Sequence, residues 1–223
     1  MSDNTSDPNK RPRRDRVIAL VVFLIGVGLV VGYGIWEVLI KKPVEAEETD
    51  ASVQTTDGKA DIAITVAGKA NGTIYIDLFE SVAPLHAERI STLAREGAYD
   101  DVVFHRVIEG FMAQTGDVQF GAMGGDMRNA GMGGSSYPDL PAEFSEVSFD
   151  RGIVGMARSQ NPNSANSQFF IMFEPGPFLD GQYTVVGQVV DGMEVVDAIK
   201  LGAGSNGAVL GEPDRMTKVT VVE

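Results

Sequence analysis

The side chains with the most chemistry to offer crowd into one stretch, Phe104 to Asp117, which reads FHRVIEGFMAQTGD. An arginine (Arg106), a histidine (His105) and a glutamine (Gln114) sit there among Phe104, Val107, Phe111 and Met112. Arginine supplies a permanently charged fork of donors, glutamine a donor and an acceptor at once, and histidine a ring that can do either. Burial penalises such groups unless they are hydrogen-bonded, so three of them in so apolar a segment point to the wall of a cleft. A surface hairpin whose polar residues merely face water fits the pattern as well, and both readings stand at this level. Other chemistries drop out sooner. The chain has no cysteine, which excludes disulfides, thiolate metal sites and thiol nucleophiles. Two histidines, His86 and His105, make a poor ligand set for a metal enzyme, and no metal or other cofactor is expected. Met123, Met127 and Met132 could offer thioethers to Cu(I), but methionine is also an ordinary adaptable contact residue. Their loop is read instead as a flexible flank to a groove.

The elements that position this stretch follow from periodicity. Alternation at Val102, Phe104 and Val107 predicts one strand, Glu109-Gly110 a turn, and Phe111 to Thr115 a returning strand. Upstream, Ile62, Ile64 and Val66 alternate with smaller or polar neighbours, Asn71-Gly72 signals a two-residue hairpin turn, and Ile74, Ile76 and Leu78 resume the alternation. From Ala83 to Glu96, residues Ala83, Ala87, Ile90 and Ala94 share a helical face with Leu93 beside them. Pro84 suits the first turn of that helix and Gly97 its stop; His86 within it reads as a surface or packing residue. Phe120 to Pro141 is too rich in glycine for regular structure, and a loop so long usually binds something or covers a site. Further strands are expected at Ile153–Met156, Gln168–Phe173, Val185–Val190 and Lys218–Val222, with a second helix over Met193–Ile199. Many short strands, two separated helices and no regular β-α-β alternation predict a mostly β protein built as a closed antiparallel barrel. On this pattern alone Phe111, Met112, Phe170 and Leu179 read as core.

Charge and hydropathy divide the chain further. A formal net charge of -13 argues against nucleic acid or an anionic lipid surface as the main partner. Residues 1 to 16 are basic, and Val17 to Trp36 is an uncharged apolar run of the length that spans a bilayer as a helix. Residues 17 to 40 are therefore expected to form a single transmembrane anchor, with Tyr33 and Trp36 near its far interface. Cleavage as a signal peptide after Val44-Glu45-Ala46 is the alternative, disfavoured because the apolar region of such peptides is shorter. Lys10, Arg11, Arg13, Arg14 and Arg16 against Lys41, Lys42 and Lys59 favour a cytoplasmic N-terminus in the inner membrane and a domain on the periplasmic side. Residues 41 to 60 lack hydrophobic periodicity and read as an acidic tether, and residues 61 to 223 as the folded domain.

The stretch FHRVIEGFMAQTGD, taken together with Gly152 to Ile199 and its NSQFFI, resembles the cyclophilins, which are peptidyl-prolyl cis-trans isomerases. The resemblance covers about residues 60 to 222 and leaves the anchor and tether outside. It implies an eight-stranded closed antiparallel barrel capped by two helices, and catalysis of rotation about X-Pro bonds in proline-containing, here exported, polypeptides. It implies Arg106 as the catalytic arginine and Gln114 as the residue steadying its guanidinium. Phe111, Met112, Phe170 and Leu179 would receive the proline ring, and Ala157, Arg158, Gln168, Phe178 and Tyr183 would line the groove, with His105 as a structural or groove-lining neighbour. Phe178 and Tyr183 stand where many eukaryotic members carry tryptophan and histidine, which weighs against strong cyclosporin binding. Arg158 stands where eukaryotic members commonly have asparagine, and Glu109 where proline is common. The competing expectation is a membrane-tethered chaperone or scaffold that grips proline-containing segments without meaningful catalysis.

Overall fold

The computed structural model describes residues 57–125 and 127–222; the basic tail, the expected anchor and most of the expected tether lie outside the described residues. No helix among the described residues is long and apolar enough to cross a membrane.

The domain opens on the expected hairpin, β1 (Ile62–Ala67) against β2 (Gly72–Leu78). The register pairs Ile62 with Ile76 and Ile64 with Ile74, and all four are buried, as a period-two pattern with one core-facing side requires. The connection is wider than Asn71-Gly72. Gly68 to Asn71 span it, with Asn71 Nδ2 donating to the Gly68 carbonyl at 2.9 Å. Next comes α1 (Pro84–Arg95), which buries Ala87, Ile90, Leu93 and Ala94 as its periodicity predicts, and His86 as well. Its first turn is capped from afar: the Glu143 carboxylate accepts from the Leu85 and His86 N–H groups at 3.2 Å each and pairs with His86 Nδ1 at 2.6 Å. A carboxylate there satisfies orphan donors and faces the positive end of the helix dipole.

Seven further strands follow, β3 (Val102–Val103), β4 (Arg106–Ile108), β5 (Met112–Thr115), β6 (Ile153–Met156), β7 (Phe169–Met172), β8 (Val185–Asp191) and β9 (Arg215–Val221), with α2 (Met193–Ala198) between the last two. The sheet is antiparallel in the order β3-β9-β1-β2-β8-β6-β7-β5-β4. This corrects the expected closed eight-stranded barrel. There are nine strands among the described residues, and the two edges β3 and β4 share no ladder, so the sheet curls without closing. The reason lies in Val102 to Ile108, which periodicity makes one strand. Val102, Val103, Phe104 and His105 are buried in succession, so the alternation lapses there. The run crosses from one sheet edge to the other, and the segment after α2 packs into the gap, Val209 N–H donating to the His105 carbonyl at 3.0 Å and Gly202 N–H to that of Val107 at 2.9 Å.

Alternation along β5 and β7 then sorts side chains between two apolar clusters. Ala113, Phe169 and Ile171 point into the curl and join Ile62, Ile64, Ile74, Tyr99, Phe104 and Val107. Met112, Phe170 and Met172 point the other way and join Phe79, Phe149, Leu179 and Val185. Full burial of each Val, Ile, Leu, Phe or Met among them is worth about 1.5–3 kcal/mol. The second cluster is the floor on which a site stands.

Candidate active site

The β4–β5 register sets Arg106 directly opposite Gln114. Opposed residues of an antiparallel pair share a face, with Cβ atoms about 4.5–5.5 Å apart. Arg106 Nη1 accordingly donates to Gln114 Oε1 at 3.1 Å, and lies 3.8 Å from the thioether sulfur of Met112. The other side of the guanidinium is held from a distant turn. Arg106 Nε donates to the Asn206 carbonyl at 3.0 Å and Nη2 to Asn206 Oδ1 at 3.1 Å. Asn206 has a left-handed backbone, φ 54° and ψ 31°, a conformation asparagine tolerates better than most residues. All these acceptors are uncharged, and four of the five N–H groups a guanidinium carries are engaged, leaving one on Nη2. Partial burial lowers the Arg106 pKa, opposed by Tyr183.

Gln114 is fixed in turn. Its Nε2 donates to Gln168 Oε1 at 2.9 Å, and Gln168 Nε2 donates to the carbonyls of Gly131 and Gly133 at 3.0 and 2.7 Å. Those glycines belong to the long loop, whose order comes from Asp117. This carboxylate is fully buried and accepts from the backbone N–H groups of Gln119, Phe120, Gly131 and Gly133 at 2.7–3.1 Å. Asp117 thus ties the loop to the end of β5, and Gln168 carries that order to Gln114 and Arg106.

Beside Arg106 opens a cleft of about 460 Å³ lined by Arg106, Phe111, Met112, Gln114, Ala157, Arg158, Phe170, Phe178, Leu179, Gln182 and Tyr183. Its floor is Met112, Phe170 and Leu179, all buried, with Phe170 stacked on Phe149 at 5.8 Å between ring centroids. That stack needs glycine at position 155, since a Cβ there would collide with the Phe170 ring and lie 2.6 Å from Phe149 Cε1. Phe178, 68% exposed, forms the rim against Phe111 at 5.4 Å. Tyr183 meets Phe170 edge-on at 6.0 Å and carries the Arg158 guanidinium over its ring at 4.2 Å. A second pocket of about 320 Å³ adjoins, sharing Gln114, Ala157 and Arg158 with the cleft and bordered by Gln168 and Met132.

Ten of the twelve residues singled out in the sequence line the cleft, and Gln168 lines the adjoining pocket. His105 does not reach either. Its ring is buried behind the wall, against Gly131, where a Cβ would lie 2.9 Å from His105 Cδ2. Of the two places expected for His105, structural or groove-lining, its burial against Gly131 fits the structural one; that burial also pushes its pKa below the ordinary histidine value, against an opposing pull from Asp117. Sequence reasoning missed Gln182, Asn206 and Asp117. Ser205-Asn206-Gly207 is a turn signal, but nothing local announces a partner one hundred positions away. Met123 and Met132 line different pockets, and no group of three His, Asp or Glu side chains among the described residues could hold a metal ion.

The arrangement offers a held, charged donor above an apolar floor, and among the described residues no Ser, Asp, Glu or His lines the cleft. It suits a reaction in which an uncharged polar group is reshaped and no bond is broken. Comparison with known proteins points the same way. Residues 62–221 match the family model described as "Cyclophilin type peptidyl-prolyl cis-trans isomerase/CLD". The chain is 58% identical over 173 residues to a Brucella suis protein named "Probable peptidyl-prolyl cis-trans isomerase", covering 76% of this chain and 88% of the relative. Among solved structures it is similar to a Cryptosporidium parvum cyclophilin type peptidyl-prolyl cis-trans isomerase crystallised in the presence of the dipeptide Ala-Pro, with 27% identity, a TM-score of 0.61, and 73% of this chain and 99% of that one covered. The cyclophilin AquaCyp293 of Hirschia baltica shares the fold at 24% identity and a TM-score of 0.59, over 75% of each chain.

Proposed function

The chain belongs to the cyclophilin type peptidyl-prolyl cis-trans isomerase family and is an isomerase of that type, and on that premise we propose that Arg106 is the group that lowers the barrier to rotation. An X-Pro bond turns slowly because amide resonance resists twisting, with a barrier of about 18–20 kcal/mol. Catalysis requires only that the twisted amide be bound better than either planar form. In the planar amide the prolyl nitrogen has no available lone pair; as the bond twists it gains one, and a guanidinium N–H can then donate to it. The observation that carries this reading is the clamp: Gln114 and Asn206 hold the Arg106 fork from both sides at the wall of the cleft it lines, with one Nη2 N–H not engaged by these partners. Phe111, Met112, Phe170 and Leu179 give the proline ring an apolar seat, and the Ala-Pro dipeptide of the Cryptosporidium relative supports a proline-containing ligand. We expect Arg106→Ala to lower kcat/KM in a proline-isomerisation assay at least about tenfold, which corresponds to about 1.4 kcal/mol of transition-state stabilisation. Unchanged turnover would overturn the assignment.

We propose further that residues 17 to 40 anchor the enzyme in the cytoplasmic membrane and that residues 41 to 60 tether it on the outer side, where it acts on exported polypeptides. The uncharged run from Val17 to Trp36 and the excess of basic residues before it support this. Protease should reach residues 45 to 60 in spheroplasts; digestion only in inverted membrane vesicles would refute it.

A further inference from the structure

The chain carries 31 acidic residues against 18 lysines and arginines, yet among the described residues no Asp or Glu lines the cleft or the pocket beside it, and two arginines do. Arg158 borders both cavities. Its Nη2 donates to the Gln182 carbonyl at 2.7 Å and its Nη1 to that of Ser159 at 2.9 Å, while the Tyr183 ring supports its flat face. These partners fix the guanidinium without neutralising it. Arg106 is likewise held only by uncharged acceptors. Arg151 and Arg215, by contrast, are paired with carboxylates, Asp197 at 2.7 Å and Asp101 at 3.0 Å, while Arg89, away from both cavities, is like the groove pair in being held by carbonyls alone. Among the described residues the groove therefore presents two positive charges held by hydrogen bonds to uncharged groups and paired with no carboxylate, in a protein that is acidic overall. Such a site draws in anionic segments and disfavours cationic ones, and a preordered guanidinium can take a carboxylate with little further loss of side-chain freedom.

We propose that Arg158 selects substrates with a carboxylate within two residues of the proline, so that acidic proline-containing segments are the preferred substrate class. The inference rests on the cleft being the isomerisation site. A peptide advances at most about 3.3–3.6 Å per residue, so an Asp or Glu one or two positions from a proline seated on Phe170 can reach the boundary between the two cavities, where Arg158 lies.

The test compares kcat/KM of the full chain, purified in detergent, on matched peptides X-Ala-Pro-Phe with X as Glu, Ala or Lys. The wild type should favour Glu over Lys about fivefold at low salt, a modest bias of the size exposed ion pairs give. The bias should shrink as salt rises to about 0.5 M and shortens the screening length. Arg158→Gln should bring the ratio below about twofold, and Arg158→Lys, which keeps the charge, should retain most of it. Should Arg158→Gln fail to fold by circular dichroism, the salt dependence of the wild-type ratio and the Arg158→Lys ratio decide. A wild-type ratio of one, a ratio insensitive to salt, or an undiminished ratio in a folded Arg158→Gln overturns the inference while turnover of the Ala peptide leaves the isomerisation site standing. Failure of all three peptides would instead remove the isomerisation site itself.

Discussion

Arg106 is held by two regions of different origin. On one side stands Gln114, its cross-strand neighbour in the β4–β5 pair, backed by Gln168 and the loop that Asp117 organises. On the other stands Asn206 alone, on a short turn following α2. The first support is a consequence of register: once β4 and β5 pair, the two side chains must meet. The second depends on where the segment between α2 and β9 packs against the seam of the sheet. The strand side is thus the stiffer of the two, with each polar atom answered in a chain of hydrogen bonds, whereas the turn side offers one residue in a sparsely populated backbone conformation.

That contrast can be broken from either side. Gln114→Ala should have the largest effect, lowering kcat/KM about tenfold, because it frees the fork and also leaves Gln168 Oε1 without its donor; the accompanying stability loss, about 1 kcal/mol by denaturant titration, follows from that unmet group. Asn206→Gly removes only the Oδ1 acceptor, keeps the carbonyl that receives Arg106 Nε and tolerates the left-handed backbone, so a loss of about threefold is expected. The double variant should deviate from the product of the two single effects, since both act through one guanidinium. Strict multiplicativity would mean that the two supports work independently.

A smaller effect concerns the two buried histidines. Burial pushes both pKa values down, against the pull of Glu143 on His86 and of Asp117 on His105. The folded state thus favours neutral rings, and the unfolded chain binds the extra protons first. Their contribution is present above the unfolded pKa of about 6.5 and is lost as pH falls below it toward the depressed folded values. Asp77, whose carboxyl is pushed up chiefly by burial, acts with the opposite sign at lower pH. The melting temperature should therefore decline on acidification from about pH 7 to about pH 5.5, and His105→Gln should flatten part of that slope. A profile unaffected by the substitution would show that His105 is not held neutral.

The same division governs what could be read from the chain. The β1–β2 hairpin, α1 and the strand pairs around Gln114 and Phe170 rest on local periodicity, and their core-facing positions are the ones the pattern selects. The closed barrel rests on a count of short strands, which carries no information on closure, and the count itself extends one alternation too far: Val102 to Ile108 looks like a single strand, but four successive buried residues carry it across the seam. Glu143 capping α1, Asp117 gathering loop amides and Asn206 clamping Arg106 are all polar contacts between segments distant or irregular in sequence, and nothing in residue type or spacing encodes the partner. His105 shows the converse. Its place beside Arg106 in the sequence suggests a shared cleft, but it precedes β4 and belongs to the run of four buried residues in which alternation lapses, so it turns inward behind the wall.

In the role proposed for it, Arg106 stabilises the twisted amide more than it binds the peptide. Exchange line-shape analysis by NMR on a proline-containing peptide, with wild-type and Arg106→Ala full-length protein, separates the two by giving the dissociation constant and the on-enzyme interconversion rate together. A rate reduced at least about tenfold, with affinity changed by less than about threefold, is expected. A loss confined to affinity, with the on-enzyme rate unchanged, would contradict it.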